Sequence, residues 1–237
     1  MKKISKEANK KKYTVKGFAF IGRTFDEYKQ MFELSATDLQ SNSFLDCPGG
    51  SCSFTAEATK QNIEATALDI EYGKSPDIFK TICENETKKI KIGFSDAKSL
   101  FRWDYYKNLD NLISIRETAA RLFLNDYVDN PTNYNQCTLP SIPLNDDSFD
   151  IVLSGHFLFL YADRLPFEFH LKTIEELLRV CKKEIRIYPL IGLDGKRYPE
   201  LDALLEILKT KGFSPSIKKI DFEFLKGSNH LLIIKKH

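Results

Sequence analysis

Two aspartates frame the chemistry this sequence offers. Asp46 ends the apolar pair Phe44-Leu45 and runs into Cys47-Pro48-Gly49-Gly50-Ser51; Asp69 ends the run 63–68, 23 residues further on. Pro48-Gly49-Gly50 predicts a tight turn, and Ser51 or Ser53 can cap a helix that starts there. Lacking Cβ atoms, Gly49 and Gly50 let the backbone approach a bound molecule, at which the first helix N–H groups point. Dinucleotide-binding βαβ units place a carboxylate about 20 residues after the glycine turn, at the tip of the second strand, where it accepts hydrogen bonds from ribose hydroxyls. Strand, glycine turn, helix start and second acid together predict a cradle for a ligand containing a nucleoside.

The elements that must hold this cradle follow from periodicity. Thr24-Phe25-Asp26-Glu27 has the form of a capping box, so a helix begins near Phe25 with Phe25, Tyr28 and Phe32 on one face. That helix either covers the sheet edge or lets Arg23 and Tyr28 close over a ligand. The first βαβ unit runs over residues 43–72, and 76–86 reads as a helix. Ile90-Lys91-Ile92-Gly93-Phe94 has the alternation of a strand. Leu109, Leu112, Ile113, Arg116, Ala120, Phe123 and Tyr127 recur at helical spacing, bounded by Asn130-Pro131. A guanidinium inside an apolar stripe either reaches the edge along its stem or faces a pocket with an anionic partner. We expect the second: Arg116 facing the pocket and orienting an anionic group of donor or acceptor.

Residues 134–138 read as a short strand, and 149–154 as a continuous apolar strand buried on both faces of a parallel sheet. A helix from Pro166, a strand over 184–188 and a helix through Leu201, Leu204, Leu205 and Leu208 follow. Strands over 216–222 and 231–234 are joined at Lys226-Gly227-Ser228-Asn229, which reads as a hairpin. The order is alternating β and α with an antiparallel end.

Composition narrows the class. The 237 residues are 42% hydrophobic and 29% charged, enough to fill the core of one α/β domain spanning 1–237. A net charge of +2 gives no electrostatic case for nucleic acid. The basic run within 1–12 has no apolar stretch after it, so it reads as a mobile tail and not as a signal peptide. No run is long enough to span a membrane. Five scattered cysteines without C-x-x-C suit reduced thiols in a cytoplasmic protein, and no cluster has metal-ligand spacing.

Three stretches carry a resemblance to class I S-adenosylmethionine-dependent methyltransferases, extending from Phe44 to the C-terminal end of the chain. Leu45-Asp46-Cys47-Pro48-Gly49-Gly50-Ser51 resembles their glycine-rich first motif, and Ala67-Leu68-Asp69-Ile70 the segment whose acid holds the ribose. The most specific is the run 142–154, Ile-Pro-Leu-Asn-Asp-Asp-Ser-Phe-Asp-Ile-Val-Leu-Ser, similar to the family's L-P-F-x-D-x-S-F-D-x-V-x-x. Pro48 and Cys52 stand where the family has glycines, and Thr138 where an Asp often contacts adenine. Ser154-Gly155-His156-Phe157 replaces the Asn/Asp-Pro-Pro-Tyr/Phe signature, which speaks against DNA-adenine or glutamine methylation.

The resemblance implies a three-layer Rossmann-like methyltransferase sandwich with a mostly parallel seven-stranded sheet and a C-terminal antiparallel hairpin. It implies S-adenosyl-L-methionine as cofactor, held by Asp46, Pro48, Gly49, Gly50 and Ser51 on one side. Asp69, Ile70, Thr138, Leu139 and Ser154 complete the set. A sulfonium donor carries its own activated methyl, so the protein mainly positions a nucleophile. If the acceptor must lose a proton, His156 is the candidate base; otherwise it is a wall. No G-x-S-x-G elbow surrounds Ser154, so it does not mark a hydrolase. The region 74–133 is expected as an enlarged helical part beside the site. With Arg23, Tyr28, Arg116 and Tyr161 it would build the side facing a small-molecule acceptor. Two rival readings remain: a catalytically inactive protein that binds S-adenosylmethionine or S-adenosylhomocysteine, and a nicotinamide-dependent oxidoreductase, which the short glycine turn and terminal hairpin oppose.

Overall fold

The computed structural model describes residues 15–236, and the basic run within 1–12 lies outside the described residues. Seven strands form one sheet: β1 (Phe44–Asp46), β2 (Ala65–Asp69), β3 (Tyr134–Gln136), β4 (Phe149–Gly155), β5 (Cys181–Tyr188), β6 (Ser214–Lys219) and β7 (His230–Lys235). Their order is β3-β2-β1-β4-β5-β7-β6, with β7 antiparallel to both β5 and β6 and the other pairs parallel. A mostly parallel seven-stranded sheet with an antiparallel pair at its C-terminal edge is the arrangement expected from the sequence.

The register decides where a ligand can sit. Asp46 stands beside Ala67 of β2 and Leu153 of β4, so β1 ends two residues before its neighbours, which run on to Asp69 and Gly155 and flank the turn that follows it. The chain steps outward from β1 to β3 and then returns to β4, so the order reverses between β1 and β4. Open α/β sheets bind ligands in the crevice at such a switch point.

Side-chain alternation divides the core. Leu45, Leu68 and Val152 pack toward α6 (Phe167–Val180) and α7 (Leu201–Thr210). Phe44, Ile151 and Leu153 pack toward α1 (Phe25–Met31), α3 (Phe54–Lys60) and α5 (Leu109–Asp129). By the same two-residue repeat, Asp46 and Asp69 project to the α1 side. The capping box closes as expected: the Thr24 side chain accepts from the Glu27 backbone, and Glu27 reaches back to the Thr24 N–H at 2.8 Å. A second such box, Ser35 with Asp38, starts α2 (Ala36–Ser41).

Two expected elements are corrected. Residues 90–94 are not a strand; they lie in α4 (Pro76–Asp96), which packs along α5. A strand would put Ile90, Ile92 and Phe94 on one face, yet Ile90 and Phe94 are buried while Ile92 is 67% exposed, the pattern of a helix. Nor is Lys226-Gly227-Ser228-Asn229 the whole hairpin turn. The strands end at Lys219 and resume at His230, and the connection folds Phe222 and Phe224 onto Tyr105, Phe101 and Phe94. That burial of aromatic surface outweighs continued strand pairing.

Candidate functional site

A cavity of about 620 Å³ opens at the carboxyl ends of β1, β2 and β4, within the range of small-molecule sites. Its floor includes Pro48, Gly49 and Gly50 from the turn after β1, with Asp69 and Ile70 at the end of β2. Thr138, Leu139, Gly155 and His156 close it on the other strands, and Ile82 and Glu86 of α4 reach it from the helical region.

Asp69 and the turn hold each other. One Asp69 carboxylate oxygen accepts the Gly50 N–H at 2.9 Å, the other the Glu71 N–H at 2.9 Å. Tyr72 donates to the Gly50 carbonyl at 2.8 Å. Each carboxylate oxygen has capacity for a further donor, and Asp69 borders the cavity. Burial pushes its pKa above the usual 3.8, opposed by the Glu71 and Gly50 N–H groups. Gly50 sits at φ +56, and a Cβ there would meet no protein atom within 4 Å. The backbone is left-handed at this point and open on the ligand side, which only glycine provides without strain.

Asp46, Ser51 and Ser154, expected as cofactor contacts, do not border the cavity. Asp46 is 1% exposed and both its oxygens lie within 2.9 Å of the Tyr28 hydroxyl, whose ring forms the wall instead. Ser51 donates to the Phe20 carbonyl at 3.3 Å. Ser154 is buried on the sheet face that Val152 shares, turned by strand alternation away from the α1 side.

Burial raises the Asp46 pKa well above 3.8; the Tyr28 hydroxyl opposes this and the Asp69 charge adds to it. A raised folded-state value favours the protonated form. The stability it lends is full below about pH 4 and is lost as pH rises through the folded-state value. Asp46→Asn keeps an uncharged partner for Tyr28. We expect the variant to match the parent's thermal midpoint near pH 4 and to exceed it at about pH 8; a lower midpoint at the higher pH counts against this assignment.

Residues 15–23 run along the cavity as a strap the sequence did not reveal. Phe18 packs on Phe157 and Tyr161, Phe20 stacks on Phe79, and the Ala19 N–H donates to the Tyr161 hydroxyl at 3.0 Å. Gly22 lies so close to the glycine turn that a Cβ would stand 2.0 Å from the Ser51 carbonyl oxygen. Only the hydrogen-for-side-chain exchange of glycine permits that approach.

Beyond the strap a smaller cavity of about 70 Å³ lies among Phe94, Phe101, Phe224 and Leu160. Arg23, His156 and Tyr161 border both cavities and stand at their junction. The His156 imidazole is neutral at neutral pH, because burial holds its pKa well below 6.5, with Arg23 and Arg116 adding to the effect. Its backbone N–H bonds the Tyr188 carbonyl at 2.7 Å, and its φ is +53.

The expected role of Arg116 is corrected. Arg116 borders the smaller cavity, but its guanidinium forms a two-pronged pair with buried Glu27, 2.7 Å on each side, and donates to the Tyr106 hydroxyl at 2.7 Å. Tyr106 in turn donates to Glu27. The anionic partner that an apolar stripe demanded is therefore the chain's own Glu27. Burial pushes the Glu27 pKa up, but the Arg116 charge and hydrogen bonds outweigh it and leave it below 4.5. Tyr28 is likewise engaged internally, by Asp46.

Among the described residues, no helix is long and apolar enough to cross a membrane. No protein-family model matches the chain. The uncharacterized protein MJ0045 of Methanocaldococcus jannaschii is 37% identical over 223 residues, which cover 94% of this chain and 98% of that protein. Among solved structures, the PH0226 protein of Pyrococcus horikoshii OT3 superposes with a TM-score of 0.48 at 12% identity over 90% of each chain. Magnesium protoporphyrin IX methyltransferase of Synechocystis PCC 6803, crystallised with bound SAM, gives a TM-score of 0.46 at 11% identity over 90% of this chain and 78% of that one.

Proposed function

The chain belongs to the same family as the uncharacterized protein MJ0045 of Methanocaldococcus jannaschii, and from its site we propose that it is an S-adenosylmethionine-dependent methyltransferase acting by direct transfer on a small-molecule acceptor. One observation carries the reading. Asp69, at the end of β2, is pinned across the cavity floor to the backbone of Gly50, at the switch point of a sheet that ends in an antiparallel pair. The residues present suit the cofactor. Asp69 would take the ribose hydroxyls, Ile70, Thr138 and Leu139 would surround the base, and the open left-handed turn at Gly50 would admit close backbone approach.

S-adenosylmethionine supplies a methyl group already activated as a sulfonium substituent. The chain then has to bind, orient and keep water out. The strap and its Phe18, Phe157 and Tyr161 contacts cover the donor cavity, and the junction at Arg23, His156 and Tyr161 is the passage through which an acceptor would meet it. A neutral imidazole at that junction accepts a hydrogen bond from an acceptor hydroxyl or amine. Its depressed pKa makes His156 a positioning and wall residue more than a store for a proton.

Calorimetry tests the reading directly. S-adenosylhomocysteine titrated into the whole chain is expected to bind at one site, and NAD to give no saturable heat. Binding of NAD in place of S-adenosylhomocysteine points to an oxidoreductase, and absence of binding by either removes the nucleoside cradle altogether.

A further inference from the structure

The smaller cavity holds more positive than negative charge. Glu27 is the carboxylate within 4 Å of both nearby guanidiniums, and Arg116 takes both of its oxygens at 2.7 Å. Arg23 is left at a distance: its Nε lies 3.9 Å from a Glu27 oxygen. Its Nη1 reaches the strap's own carbonyls of Ile21 and Gly22, at 3.4 and 3.2 Å. With 12% of its side chain exposed, Arg23 is largely shielded from water. Within 4 Å, one carboxylate thus faces two cations, and a neutral His156 adds no charge of either sign.

The surroundings make that excess consequential. Phe94, Phe101, Phe224 and Leu160 line the same cavity, so little solvent remains to stabilise the charge. A guanidinium presents a planar fork that matches the two oxygens of a carboxylate, and the match gains strength where water is excluded. Arg23 borders both cavities, whereas Phe101 and Phe224 border only the smaller one and Asp69 and Gly50 only the larger. The excess charge therefore lies at the mouth of the apolar compartment that the nucleoside cradle does not use.

We propose that Arg23, at the junction of the two cavities, binds a carboxylate of the methyl acceptor, so that the acceptor is a small organic acid. The smaller cavity, about 70 Å³, takes only that group, and the acceptor's apolar or aromatic body lies in the larger cavity against Phe157, Phe169 and Tyr161. The inference rests on the methyltransferase reading above. It assigns Arg23 a recognition role, with His156 beside the group that is methylated.

Calorimetry on the whole chain separates this from its rivals. If S-adenosylhomocysteine does not bind the parent chain, the methyltransferase reading fails, and the inference falls with it. With S-adenosylhomocysteine saturating, benzoate, 4-hydroxybenzoate, cinnamate and octanoate are each titrated against the corresponding amide. At least one acid is expected to bind about tenfold tighter than its amide. Arg23→Gln should abolish that preference and Arg23→Lys, which keeps charge but loses the fork, should weaken it. Acids binding no better than amides, or not binding, overturn the proposal.

The donor has a carboxylate of its own, so S-adenosylhomocysteine is also compared with 5′-methylthioadenosine, which lacks the amino-acid end. Both are expected to bind Arg23→Gln as they bind the parent. A loss confined to S-adenosylhomocysteine shows that Arg23 serves the donor and overturns the acceptor assignment, as does an equal loss for both ligands. Should Arg23→Gln not fold, Arg23→Lys decides through the same two comparisons.

Discussion

Glu27→Ala is expected to lower the unfolding free energy by about 3–5 kcal/mol, the range for breaking a buried ion pair by removing one partner. Glu27 has no solvent exposure, Arg116 is 2% exposed, and the pair is bridged on one side by Tyr106. Deleting the carboxylate leaves the Arg116 guanidinium buried without an anion and brings the Arg23 charge, already near it, into uncompensated repulsion. It also removes the back-bond of the α1 capping box, a smaller loss of roughly 0.5–2 kcal/mol. Denaturant unfolding with an unchanged m-value measures the sum. Glu27→Leu combined with Arg116→Met should recover much of the loss, because well-packed apolar replacements of a buried pair are often neutral or better. A Glu27→Ala loss under about 1 kcal/mol, the usual size for an exposed pair, rules the buried pair out.

The same pair sets a pH dependence. The Glu27 pKa is depressed below 4.5 in the folded chain, so its contribution is present above about 4.3, the unfolded value. It is lost as pH falls through the lower folded-state value. Acid unfolding should therefore begin at higher pH in Glu27→Gln than in the parent.

The second large effect falls on affinity. Asp69→Ala is expected to weaken S-adenosylhomocysteine binding by about 1.5–3 kcal/mol, roughly ten- to 150-fold, the worth of charge-assisted hydrogen bonds to a ligand. Part of any loss could come from the turn, because Asp69 also holds the Gly50 and Glu71 N–H groups. A ligand lacking the ribose 2′-hydroxyl separates the two. In the parent chain 2′-deoxy-5′-methylthioadenosine should bind more weakly than 5′-methylthioadenosine. In Asp69→Ala the two should bind alike, whatever the turn has done, since the group that told them apart is gone. A discrimination that survives in Asp69→Ala moves the ribose contact to another residue.

What was legible in the sequence is what short windows encode. The glycine turn between Asp46 and α3, the acid 23 residues later, the Thr24-to-Glu27 cap and the apolar face of α6 depend on residues within one or two turns or strands of each other. Backbone geometry and two- or 3.6-residue periods determine such features before any tertiary contact forms. The alternating order with an antiparallel end likewise followed from the elements, and the sheet has the seven strands, mostly parallel with an antiparallel end, that this implied.

Partnership across the chain was decided only by the tertiary structure. Arg116 visibly required an anion, but 33 acidic residues satisfy that requirement equally on paper, and the one that does lies 89 positions away as the third residue of a helix cap. Asp46 looked like a ligand contact because it sits beside the glycine turn, yet packing of α1 on the sheet set the Tyr28 hydroxyl against it. Residues 90–94 had the alternation of a strand, yet they lie in a helix that packs along α5 and sets Phe94 on Phe224 of the 220–229 connection. The strap of residues 15–23 carries no period of its own; its path is set by the aromatic rings and the Ser51 carbonyl it lies on. Each of these outcomes depends on which surfaces meet, and the energy of a contact between distant segments is absent from either segment alone.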